Sequence, residues 1–196
     1  KPVMPCIGNH DMGNFNTRYN NSLENVANRF ITPYLNRFGG IGQNGYYYKD
    51  FTESKIRLFV LNEYEMPRIV KSDTEYKYSL WNRYLSQAQL NWFIAALNTV
   101  EEGWSVIVAL HQLIEEDAIV LDNEFKSNGT ARGCCYEGQT GKPLQSIIDA
   151  YIGKTSISKT CENKMNATKA EIPDVEINAN FTNAKGEFIC YISGHS

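Results

Sequence analysis

Apolar runs of strand length alternate with helical periodicities along this chain. Pro2–Ile7 is short and mostly apolar, which predicts a buried strand stopping at Gly8. Leu23, Val26, Ala27 and Phe30 recur at helical spacing, with Asn21 or Ser22 as the cap. Thr32-Pro33 interrupts, a short turn carries Tyr34, Leu35 and Phe38, and Gly39-Gly40 closes it. Tyr46–Phe51 and Ile56–Leu61 predict a hairpin around Thr52–Lys55. The second of these strands is almost continuously apolar, so both its faces need cover. Positions 63–84 are polar and aromatic, without a period.

Ser86 to Gln89 reads as a capping box, with Leu85 stapled onto Leu90 and a stripe of Leu90, Phe93, Ile94 and Leu97. The helix leads into a strand over Trp104–Leu110. Pro143 followed by Leu144, Ile147, Ile148 and Tyr151 predicts a second amphipathic helix. Its flanks, Lys126–Lys142 and Lys154–Asp174, are polar and loop-like. Glu176–Thr182 and Glu187–Ser193, joined by Asn183-Ala184-Lys185-Gly186, predict a closing hairpin. Strand-helix-strand alternation places the chain in the α/β class, mixed with α+β features.

Chemistry enters at the strand ends. Gly8-Asn9-His10-Asp11 puts an amide, an imidazole and a carboxylate directly after the first run. The chain has three histidines, and the other two, His111 and His195, also follow apolar runs (Ser105–Leu110 and Glu187–Gly194). A lone histidine after a strand is most often structural. Three sharing that setting point to one ligand site, because strand ends are where ligands gather in layered α/β folds.

These blocks resemble the calcineurin-like metallophosphoesterases, which include purple acid phosphatases and cyclic-nucleotide phosphodiesterases. That family carries Asp-x-His, Gly-Asp, Gly-Asn-His-Asp/Glu, a strand-terminal His and Gly-His-x-His, in this order. Here the third block is Gly8–Asp11, the fourth is His111, and the fifth begins at Gly194-His195. No Asp-x-His occurs, no glycine precedes an aspartate, and Ser196 stands where the fifth block has yet to reach its second histidine. The resemblance implies a helix-flanked β-sandwich, incomplete because its N-terminal strands are missing. Residues 1–196 would form one partial catalytic domain, with a lid or specificity insertion at about 112–175.

By the same resemblance, Asn9, His111 and His195 bind one of two divalent metal ions (manganese, iron or zinc). His10 faces the substrate, and Asp11 holds its tautomer. The expected activity is hydrolysis of phosphate mono- or diesters, two ions roughly 3.5–4 Å apart activating water and clamping the phosphoryl group. Without the absent anionic ligands, three neutral donors hold an ion weakly. The chain alone is expected to be inactive and metal-free or weakly binding one ion, and its exposed strand edges are expected to promote self-association. The alternative is a non-catalytic binding or structural module on the same scaffold. The residues that would bind the substrate are not indicated.

Bulk properties narrow the partners. A net charge of −3 argues against a general nucleic-acid footprint, leaving a phosphorylated small molecule or ester as the expected substrate. No stretch has the length of a membrane span, so a soluble chain is the expectation; the compartment is unknown, with the cytoplasm slightly favoured. Five cysteines without a Cys-x-x-Cys spacing indicate no disulfide framework, and Cys6 and Cys190 read as small buried residues. Asn20, Asn128, Asn166 and Asn180 begin Asn-x-Ser/Thr sequons, a number expected by chance at this asparagine content.

Overall fold

Three apolar runs become the heart of a mixed sheet. In a computed structural model of the chain, residues 3–8, 11, 31–65, 70–72, 75–76, 82–111, 136–137, 142–162 and 172–194 are described. The predicted helix over 23–30 lies outside them, as do Asn9, His10 and His195. The elements are α1 (Thr32–Phe38), β1 (Ile41–Gln43), β2 (Tyr46–Phe51), β3 (Ile56–Val60), β4 (Val70–Ser72), β5 (Glu75–Tyr76) and β6 (Asn82–Arg83). There follow α2 (Gln87–Asn98), β7 (Ser105–Ala109), β8 (Tyr136–Glu137), α3 (Pro143–Ile152), β9 (Ser156–Cys161), β10 (Val175–Asn180) and β11 (Glu187–Ile192).

The chain is a mixed α/β structure. Among the described residues its main sheet has five strands in the order β1-β2-β3-β7-β11. The β1–β2 and β2–β3 pairs are antiparallel, whereas β3–β7 and β7–β11 are parallel. Parallel neighbours need a crossover, and α2 and α3 supply the helical parts of the two connections. Both helices pack on one face of the sheet. There Leu90, Phe93 and Leu97 of α2 and Leu144, Ile147, Ile148 and Tyr151 of α3 meet Phe59, Val106 and Val108 in one core. Truncating such a leucine typically costs about 2–5 kcal/mol. Arg57 also lies on this face, in a bidentate pair with Asp50 at 2.7 and 2.8 Å and over the Tyr48 ring.

The opposite face carries a smaller cluster of Ile7, Ile31, Tyr47, Val60 and Tyr64. Met4 to Gly8 crosses it as an irregular segment, so the strand expected over Pro2–Ile7 is not formed. Prolines 2 and 5 lack the N–H a ladder needs. The Pro5 carbonyl instead accepts from the Tyr47 hydroxyl at 2.7 Å.

Two further expectations are corrected. The closing hairpin does not form, because β10 pairs antiparallel with β9 in a separate two-stranded sheet while β11 joins β7. In β10 buried and exposed positions alternate strictly, as in a sheet covered on one face, whereas β11 is apolar from Phe188 to Ile192 and half-buried or exposed throughout. Lys154–Asp174 is likewise not all loop, since Ser156–Cys161 is a full strand.

Candidate functional site at the strand exits

The exits of the parallel strands β3, β7 and β11 lie side by side. After β7, Leu110 N–H donates to the Ile192 carbonyl at 3.0 Å, and Gly194 N–H donates to the His111 carbonyl at 3.2 Å. After β3, Leu61 N–H donates to the Ala109 carbonyl at 2.9 Å. His111 therefore leaves the sheet between the Asn62–Glu63 exit and Gly194, the residue before His195.

Gly8 reaches the same place. A Cβ built on it would lie 2.9 Å from His111 Cε1 and 3.0 Å from both ring nitrogens, so the imidazole rests directly on the glycine backbone. Only a residue without a side chain permits that approach. Gly8 and Asp11 close on each other: Asp11 N–H donates to the Gly8 carbonyl at 3.1 Å, and Gly8 N–H donates to Asp11 Oδ2 at 2.8 Å. Of the predicted site residues, then, Asp11 and His111 are described and are joined through Gly8. Asn9, His10 and His195 lie outside the described residues, but their chain neighbours Gly8, Asp11 and Gly194 sit at this exit.

Sequence reasoning missed the β3 side of the site. Asn62 and Glu63 are buried there, and the Tyr64 ring centroid is 6.0 Å from that of His111. Asn62-Glu63 directly follows the apolar run Ile56–Leu61, the same setting in which the histidines stand. Glu63 and Asp11 make the neighbourhood electronegative. The Cys6 thiol is pushed up to about 12, first by burial and then by Glu63 and Asp11, so it stays protonated at neutral pH.

A polar clamp holds this exit. Gln89 Oε1 accepts from Asn62 N–H at 2.8 Å, and Gln89 Nε2 donates to the Asn62 carbonyl at 2.7 Å and to Glu65 Oε2 at 2.6 Å. Ser86 caps α2 by accepting from Gln89 N–H at 3.1 Å, but its own N–H donates to Glu65 at 2.7 Å. The expected capping box is thus half formed, because the clamp claims the Gln89 side chain. Burial raises the Glu65 carboxyl to about 7, against the lowering effect of its Ser86 and Gln89 bonds.

Among the described residues, no three His, Cys, Asp or Glu side chains are grouped to hold a metal, and no helix is long and apolar enough to cross a membrane. No family model matches the chain, and neither a curated protein nor a solved structure does.

Proposed function

We propose that Asn9, His10, Asp11, His111 and His195 belong to a phosphoesterase site of the calcineurin-like type, within a metallophosphoesterase catalytic domain of β-sandwich architecture. The observation that carries this reading is His111 resting on Gly8, which joins two sequence blocks far apart in the chain. The donor chemistry fits divalent manganese, iron or zinc, since neutral imidazole nitrogen and amide oxygen suit these ions. His111 is also only partly buried at its strand exit. Asn9, His111 and His195 would hold one ion. When bound, the two ions supply activation of water and neutralisation of phosphoryl charge. The carboxyl groups of Glu63 and Asp11, both close enough to raise the Cys6 thiol, favour a cation at this exit.

His10 donates a proton to the leaving-group oxygen, and Asp11, fixed by Gly8 N–H, sets the tautomer of His10. Three neutral donors hold an ion weakly, so this chain by itself does not turn over phosphate esters. The test adds manganese or zinc and follows hydrolysis of p-nitrophenyl phosphate and metal binding by calorimetry. No turnover above the metal blank is expected, together with about tenfold weaker binding in His111→Ala. Robust turnover refutes the inactivity of the chain. Unchanged binding in His111→Ala refutes the site and leaves a non-catalytic module.

A further inference from the structure

Asn180 ends β10 with its side chain locked to the residue two places on. Its Oδ1 accepts from Thr182 N–H at 3.0 Å and from the Thr182 hydroxyl at 2.7 Å. Phe181 between them is fully buried in the core, which fixes Asn180 and Thr182 on the solvent side of one turn, both exposed. On the same ribbon, Asn180 pairs with Ser156 and Asn178 with Ser158, and all four are exposed. Beneath them Val175, Ile177 and Ala179 turn inward to the helices. Oδ1 is engaged twice, and the Asn180 side chain is exposed on this polar surface.

Asn180-Phe181-Thr182 is an acceptor tripeptide for N-glycosylation. The sequence alone does not rank its four sequons. We propose that Asn180 is a glycan acceptor. The transfer uses the Asn180 amide nitrogen as nucleophile, and both ends of the acceptor tripeptide, Asn180 and Thr182, are exposed. Nδ2 attacks C1 of a sugar carried on a polyprenyl diphosphate. The N–C1 bond forms, the C1–O bond leaves with its electron pair on the diphosphate, and one Nδ2 proton passes to a base, with no change of oxidation state. The glycan would extend from the polar ribbon into solvent and displace no core side chain. A modified Asn180 also places the chain on a secretory route, against the cytoplasmic expectation.

The chain is expressed behind a secretion signal in a eukaryotic host. Its peptides are mapped after N-glycosidase treatment in heavy-oxygen water, which converts each formerly glycosylated asparagine to labelled aspartate. Label at Asn180 in most of the secreted chain is expected, lost in Thr182→Ala and retained at lower occupancy in Thr182→Ser. Asn180→Asp keeps an acceptor for the turn, so it folds like the parent while losing the glycan. An unlabelled Asn180 in secreted chain overturns the proposal. If the chain is not secreted, the unfolded full chain is presented to a purified oligosaccharyltransferase with its lipid-linked donor, where an unmodified Asn180 overturns it equally.

Discussion

The His111 imidazole occupies the space in which a side chain on residue 8 would stand, with Cε1 2.9 Å from the position of a Gly8 Cβ. The contact ties the irregular segment over residues 3–8 to the exit of β7, and it demands glycine at that point. Gly8→Ala must displace either the ring or the backbone, at a cost of about 1–3 kcal/mol. Urea unfolding measures the cost, and the His111 imidazole resonances report the displacement. Unchanged stability with unmoved His111 resonances would show that the ring does not rest on the glycine.

Glu65 makes a pH prediction of definite sign. Its folded pKa of about 7 lies above the ordinary 4.5, so the folded state holds its proton more tightly than the unfolded chain does. Its contribution to stability is therefore fully present below about 4.5 and is lost as pH rises through 7. At about 1.4 kcal/mol for each pH unit between the two values, the loss is about 3 kcal/mol. Glu65→Gln retains an acceptor for Ser86 and Gln89 but has no charge to bury. It is expected to stabilise the chain at pH 8 and leave it nearly unchanged at pH 4.5, as read by urea midpoints. An equal effect at both pH values would contradict the burial argument. Tyr46 and Tyr84, which face Glu65, are both raised above their ordinary value and do not titrate in this window.

The edge of the main sheet carries a third expectation. Among the described residues β11 is the last strand of the sheet, and its Ile189 and Ile192 are 54% and 52% exposed. Unpaired strands with apolar side chains recruit other chains. Sedimentation is expected to show concentration-dependent association that Ile189→Lys with Ile192→Lys suppresses. A monomer at all concentrations, with or without the lysines, would show that the edge is inert.

Much of this architecture was legible because single elements obey one rule each. The nearly continuous apolarity of Ile56–Leu61 and Ser105–Leu110 gave the strands β3 and β7, and the stripe from Leu90 to Leu97 gave α2. Position-by-position burial was less visible where long-range partners decide. Ser156–Cys161 looked polar because only Ile157, Lys159 and Cys161 turn inward from it. The β1–β2 turn was overlooked, although Asn44-Gly45 supplies the two positive φ angles, 51° and 85°, that a tight hairpin turn requires. At the site, the shared strand-end setting of the histidines singled out the exit where His111 meets Gly8, but Glu63 and the Gln89 clamp depend on which strands become neighbours. Nothing local in Gln89 says that it will leave its capping role to bind Asn62 and Glu65.

The proposed site requires the imidazoles of His10, His111 and His195 to share one small volume. Titrating paramagnetic manganese into histidine-labelled chain, with resonances assigned by single His→Gln variants, measures this directly, because broadening falls steeply with distance from the ion. All three imidazoles are predicted to broaden together over the same manganese range. Broadening of one while the others stay sharp would contradict the account.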